Sequence, residues 1–185
     1  MKIAVYLGSS YGSQSIFADG AKQLGRLIGE HGDTLVYGGA SVGLMNELAQ
    51  SALDHGAAVI GVMPRFMIDV NKQRNDLNEL IVCKTMSERR NQMKELADGY
   101  IALPGGPGTL DEISEIISDS RLHLVQGRIA LLSLNGYYAP LRKQFDDMVS
   151  NGFMEPMDNL LFARTVQEGY DWIKGESMGR QEETK

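Results

Sequence analysis

The chain has 185 residues, 43% of them hydrophobic and 23% charged, a composition ordinary for a soluble globular protein and a length that suits one domain with a real core. The formal net charge of −6 argues against a nucleic-acid polymer as partner, because wrapping one needs a basic face. It leaves open a small phosphorylated ligand, for which one or two arginines and some backbone amides suffice. The one cysteine, Cys83, excludes an intrachain disulfide framework, in keeping with a reducing cytoplasm. It lies in the apolar run LIVC and reads as a small buried hydrophobe. His31, His55 and His123 show no metal-ligand spacing, so no metal site is expected. The opening MKIAVYLGSS is interrupted too soon for a signal peptide. No run of about 18 apolar residues exists to cross a membrane. A cytoplasmic protein with no membrane partner is expected.

Along the chain, strand and helix patterns alternate. KIAVYLG reads as a first strand. From about Gln14 to His31 the spacing of Phe17, Ala21, Leu24, Leu27 and Ile28 predicts a helix, with Gly32 as its stop. TLVYGG is a second strand, GLMNELAQSALDHG a helix closed by Gly56, and AAVIGVM a third strand. PRFMIDVNKQRND reads as a polar loop and ELIVCK as a fourth strand. SERRNQMKELAD is a helix with Ser87 as a candidate N-cap. YIALPGG is the fifth strand and its glycine turn, TLDEISEIISDS the next helix, and RIALLSL the sixth strand. A helix from about Tyr138 to Ser150, a short strand LLFA and a last helix VQEGYDWIK follow. Residues 1–175 form a single domain on this reading, and the polar stretch 176–185 a frayed tail.

Alternation with near-continuous apolar strands predicts a mainly parallel sheet covered by helices on both faces, a Rossmann-like three-layer α/β sandwich. In such sheets ligands bind at the carboxyl ends of the strands. Three glycine-rich turns sit there: GSSYG with Gly8 and Ser9, YGGASVG with Gly38 and Gly39, and PGGPGT. Together they suggest a pocket lined by main chain. In the last turn, Gly105 and Gly106 supply backbone freedom and close approach. Gly108 and Thr109 begin a helix whose unpaired amides favour an anion such as phosphate. A tight turn with glycines for geometry alone is the bland alternative.

Two helices add charge. With Met86 at zero on a helical wheel, Met93 and Ala97 return to within about 20° of it, and Arg89 and Arg90 flank that apolar face at about 60° and 40°. Arginine beside an inward-facing stripe calls for a fixed anion, although a structural ion pair or snorkelling also accounts for it. On the helix after Thr109, Glu112, Glu115 and Asp119 form a stripe at the edge of the isoleucine face. Asp111 reads as a first-turn residue favoured by the helix dipole. Glu112 borders the apolar face and needs a nearby cation, which the arginine helix can supply. A carboxylate beside a phosphate turn suits N-glycosidic cleavage, where it stabilises an oxocarbenium-like sugar.

The pair TMSERRNQM and PGGPGTLDE resembles the paired motifs MxxRK and PGGxGTxxE of the Lonely Guy family of cytokinin-activating phosphoribohydrolases. Members have often been labelled "possible lysine decarboxylase". GSS after the first strand, YGG…GLM after the second, VIGVMP at the third, and LLSLNGYYAPL with NGF further on extend the resemblance over most of the chain. It implies a Rossmann-like homodimer that hydrolyses a purine nucleoside 5′-monophosphate, cytokinin-type or AMP, to free base and ribose 5-phosphate. It implies no cofactor and no metal. Carried over by motif, Arg89 and Glu112 are the catalytic pair. Gly105, Gly106, Gly108 and Thr109 hold the phosphate, with Arg90 in the motif's final basic position where Lys is usual. Gly8, Ser9, Gly38 and Gly39 line the same edge, and Glu115 and Met86 are secondary candidates. A decarboxylase would need pyridoxal phosphate on a Schiff-base lysine, and nothing near these motifs offers an obvious one. Ala40 and Asn46 replace glycines of the family pattern, and SDSRLH stands where many members carry Thr-Trp, so the preferred base stays open. The competing expectation is a non-catalytic nucleotide or phosphorylated-cofactor carrier on the same fold, like the molybdenum cofactor carriers. A carrier would keep the phosphate turn but need not keep both Arg89 and Glu112. A base or ribose transferase would need a second acceptor subsite, for which no motif is evident.

Overall fold

Strand β1 (Lys2–Tyr6) sets the architecture. Ile3, Val5 and Leu7 enter one hydrophobic cluster, and Ala4 and Tyr6 enter another on the opposite face, as the two-residue period of a strand requires. A strand buried on both faces has no polar side, which is why it reads as an unbroken apolar run. A computed structural model of the chain describes residues 1–70 and 72–175. The tail expected over 176–185 lies outside the described residues.

Six more strands join β1: β2 (Thr34–Tyr37), β3 (Ala58–Pro64), β4 (Glu79–Cys83), β5 (Gly99–Ala102), β6 (Ile129–Leu132) and β7 (Leu160–Ala163). Their order is β4-β3-β2-β1-β5-β6-β7 and every pairing is parallel. On one face α1 (Ser15–Glu30), α2 (Gly43–Asp54) and α7 (Val166–Lys174) bury Leu24, Ile28, Leu48 and Tyr170. On the other, α4 (Met86–Leu96) and α5 (Pro107–Arg121) bury Met93, Ile113, Ile116 and Ile117, and α6 (Ala139–Ser150) adds Leu141 and Phe145 at the margin. Each fully buried Leu or Ile contributes about 1.5–3 kcal/mol of transfer free energy. The expected three-layer sandwich is the observed one.

The topology places the site. The chain walks outward from β1 to β4, crosses back through α4 to β5 on the other side of β1, and walks away again. The reversal between β1 and β5 opens a crevice at the carboxyl ends of those strands. The turns GSS and PGGPGT stand on its two lips.

Three local expectations are corrected. The N-cap of α4 is Thr85, not Ser87. Thr85 Oγ1 accepts from Glu88 N at 3.1 Å, which satisfies an orphan amide, and Glu88 Oε2 accepts from Lys84 N at 2.8 Å, a variant of the capping box that reaches one residue before the cap. Helix α5 starts at Pro107 rather than at Gly108, because proline suits the first helical position, where its missing N–H costs nothing. Asp111 therefore lies in the second turn, where the dipole is already weak. The segment read as a polar loop holds a short helix α3 (Arg65–Ile68) and an antiparallel bridge from Gln73 to Ala40.

Candidate functional site

The three glycine turns meet backbone to backbone at the carboxyl edge. Gly8 N donates to Pro104 O at 3.2 Å, and a Cβ on Gly8 would stand 3.4 Å from Gly105 Cα. Gly43, with φ +55°, packs so closely on the first turn that a Cβ there would lie 2.6 Å from Ser10 N. Between these turns lies a cavity of about 600 Å³, within the usual range for a small-molecule site. Leu7, Gly8, Ser9, Gly38 and Ala40 line it from the first two turns, and Gly106, Pro107, Gly108 and Thr109 from the third.

The glycines of PGGPGT serve close approach and open space rather than unusual dihedrals. Neither Gly105, Gly106 nor Gly108 has a positive φ, which corrects the expectation of backbone angles closed to other residues. A Cβ on Gly105 would collide with Thr109 Oγ1 and sit 2.7 Å from Thr109 Cβ. Around Gly106 and Gly108 nothing lies within 4 Å of a built Cβ, so a ligand can reach the main chain there. Helix geometry leaves the Gly108 and Thr109 amides without intrahelical acceptors, at the positive end of a 15-residue helix. That combination is an anion site.

The floor of the cavity is an ion pair. Arg89, in the first turn of α4, donates through Nε to Val62 O at 3.0 Å and through Nη1 to Glu112 Oε1. Arg89 is 5% exposed and Glu112 7%. Gly38 exists to admit this guanidinium, since a Cβ there would collide with Nη2 and stand 3.4 Å from Cζ. Beside the pair, burial first and the Glu112 carboxylate second hold the Tyr6 phenol far above its ordinary range, as a protonated group. A buried pair of this kind adds little net stability, but stranding either member is costly.

The neighbouring positions diverge from this centre. Arg90 turns away from the cavity to donate to Glu115 Oε2 at 2.7 Å and Asp111 Oδ2 at 3.1 Å. Lys94 adds Glu115 and Asp119. The acidic stripe of α5 and the basic residues of α4 thus form a ladder between the helices, with Arg89–Glu112 its buried end. Glu115, Gly39 and Gly105 are outside the cavity lining, whereas Met86 and Asp111 are in it. Gly39 serves the turn instead, with φ +74° and its carbonyl accepting from Arg74 N at 2.9 Å.

The sequence reading missed Lys72 and Met67, which the 65–78 segment brings to the wall opposite PGGPGT, and Val42 and Met45 of the second turn. It also missed Arg74, which is buried and grips Asp76, Asn46 and Gln50. The polar run NKQRND carried no periodicity that could mark either basic residue as inward-facing. Lys72 brings to the cavity wall a lysine that the motifs themselves did not announce.

Comparison with known proteins follows the same lines. The family model described as "Possible lysine decarboxylase" matches residues 45–169. A protein of Oryza sativa subsp. japonica named cytokinin riboside 5′-monophosphate phosphoribohydrolase LOG is 38% identical over 153 residues, 83% of this chain and 63% of its own length. The Arabidopsis thaliana protein of that name, LOG2, is 37% identical over 153 residues, 83% of this chain and 72% of its own. Among solved structures, the molybdenum cofactor binding protein of Rippkaea orientalis superposes with a TM-score of 0.73 at 22% identity, over 94% of this chain and 95% of that one. The Moco carrier protein of Chlamydomonas reinhardtii also gives 0.73, at 23% identity and the same coverage. At such identities the structural likeness speaks for the fold alone. With the family model spanning most of the chain and the sequence identities in hand, the chain belongs to the Lonely Guy family, whose model carries the lysine decarboxylase description.

Proposed function

We propose that the protein hydrolyses the N-glycosidic bond of a purine nucleoside 5′-monophosphate, of the cytokinin type or AMP, to free base and ribose 5-phosphate. The observation that carries this is the buried Arg89–Glu112 pair set beside a helix N-terminus in one cavity. The 5′-phosphate rests on the amides of Gly108 and Thr109, and the ribose lies against Glu112. A water oxygen bonds to C1′ as the C1′–N bond breaks. The electron pair of that bond leaves with the base, and the water's proton ends on the base nitrogen. The Glu112 carboxylate stabilises the positive charge that builds on the sugar. Arg89 fixes the position of that carboxylate so that little reorganisation is needed. Neither a cofactor nor a metal enters the step.

A carrier of the kind named by the solved neighbours would use the phosphate turn but has no need of a desolvated arginine–carboxylate pair, and the pair favours hydrolysis. We place the working form as a homodimer. In support, Leu122 and Leu124 stand 64% and 69% exposed just beyond α5, an apolar edge suited to a partner surface. The test is incubation of the purified protein with AMP and with isopentenyladenosine monophosphate, followed by chromatography for free base. Base release lost in Glu112→Gln supports the assignment; no base from any purine monophosphate overturns it in favour of a carrier.

A further inference from the structure

Three successive carbonyls leading into the phosphate turn are each held by a different donor. Leu103 O accepts from the Tyr138 hydroxyl at 2.8 Å, Pro104 O from Gly8 N at 3.2 Å, and Gly105 O from the Tyr137 hydroxyl at 2.5 Å. Both tyrosines come from the turn after β6, where Asn135 and Gly136 take φ of +50° and +74°. Asn135 Nδ2 ties that turn to Gln14 Oε1 at 2.8 Å. The Tyr137 ring packs edge-on against Phe17 and Tyr138, with centroids 5.7 and 5.0 Å away. These aromatic contacts fix the ring, so the hydroxyl of an exposed tyrosine keeps one position.

The Gly105 contact differs from the other two in what it controls. The Gly105–Gly106 peptide is trans, so its carbonyl and its N–H point in opposite directions. Gly106 lines the cavity and Tyr137 does not. With the carbonyl drawn to Tyr137, the Gly106 amide is turned to the cavity side. Among the described residues that amide has no acceptor, and it stands just before the helix whose first amides are free. This peptide is also the one in the turn most able to flip, because glycine stands on both sides of it. Turning the plane over carries Gly106 from its φ of −89°, at ψ −162°, to a φ of about +90°, a region that glycine alone enters. The flipped plane would aim the Gly105 carbonyl at an anion and withdraw a donor. The Tyr137 hydroxyl opposes that flip.

We propose that Tyr137 is a positioning residue: by holding the Gly105 carbonyl, it keeps the Gly106 amide turned to the ligand as a third donor to the 5′-phosphate, beside those of Gly108 and Thr109. This rests on the phosphate role given to the turn above. The experiment is calorimetric titration of ribose 5-phosphate, and of adenosine as an unphosphorylated probe, into the wild-type protein, Tyr137→Phe and Tyr138→Phe. Tyr137→Phe keeps the packed ring and loses the hydroxyl. Its Kd for ribose 5-phosphate rises roughly 3- to 10-fold, as the fraction with the amide correctly turned falls, and its affinity for adenosine is unchanged. Tyr138→Phe lowers Tm, because Leu103 is fully buried and its carbonyl loses its partner, yet leaves that Kd within about twofold of wild type. On a Gly106→Ala background the flipped region is closed, so the added cost of Tyr137→Phe falls below about twofold, whatever the methyl itself costs. A Tyr137→Phe Kd within about twofold of wild type, an equal loss on adenosine, or an undiminished cost on Gly106→Ala overturns the proposal while leaving the hydrolase function standing. A protein that releases base from no nucleotide, yet loses ribose 5-phosphate affinity in Tyr137→Phe, contradicts only the hydrolytic step.

Discussion

Arg89→Met removes one half of the buried pair and leaves Glu112, 7% exposed, facing an apolar side chain. The Val62 carbonyl loses its donor at the same time. Breaking a buried ion pair by removing one partner costs about 3–5 kcal/mol, because the remaining charge is desolvated and uncompensated. For a domain of this size each kcal/mol lowers Tm by about 2–4 °C, so a fall of roughly 6–20 °C is expected. The lone tryptophan, Trp172 in α7, gives a fluorescence signal for urea unfolding on the face opposite the site. The decisive comparison is the double variant Arg89→Met/Glu112→Leu, which removes the stranded charge. It should regain most of the lost stability, because well-packed apolar replacements of a buried pair are often neutral or better. It should show no base release at all. Refutation comes from Arg89→Met lying within about 1 kcal/mol of wild type, or from a double variant no more stable than the single one.

Two glycine substitutions should part in opposite directions. Gly108→Ala adds a methyl in open space at a helical φ and should raise stability by about 0.4–1 kcal/mol, while raising KM because the methyl occupies the phosphate approach. Gly38→Ala drives a Cβ into the Arg89 guanidinium and should lower both kcat and Tm. At the far end of the sheet, Asp33 is buried, which alone would raise its pKa, but hydrogen bonds from Lys174, the Met1 ammonium and Tyr170 outweigh burial and hold it below the usual carboxylate range. A depressed acid stabilises the fold above its unfolded pKa and loses that contribution as pH falls through the folded value. Asp33→Asn should therefore melt lower than wild type at neutral pH, with the gap closing below about pH 4. For the assembly, sedimentation should give a dimer; a strict monomer with full activity contradicts it.

The fold was legible because its central strands are buried on both faces and so stand out as apolar runs, and three of them, β1, β2 and β5, run into glycine turns where the chain abuts a neighbour. Seven strands and the helices between them, the short α3 excepted, follow from that pattern. The motifs placed Arg89 on the inner flank of its helix and Glu112 at the margin of the isoleucine face, and in the fold the two touch. Arg90 shows the limit of a helical wheel. It sits as near the apolar face as Arg89 does, yet the packing of α5 against α4 sends it outward to Asp111 and Glu115. Lys72 and Arg74 were hidden for another reason. Their segment has no periodicity, and it turns inward only because Arg74 finds Asn46 and Gln50 on α2, long-range partners that no local pattern announces. Asn46, a departure from the family's glycine, acquires its meaning from that contact.

The most direct test of the central claim is chromatographic: free base and ribose 5-phosphate formed from a panel of purine nucleoside 5′-monophosphates by the wild-type protein and by Glu112→Gln at matched folded concentration. Equimolar base and ribose 5-phosphate are predicted from the wild type, with a loss of at least about 100-fold in Glu112→Gln. Turnover in Glu112→Gln equal to wild type would contradict the role given to this carboxylate.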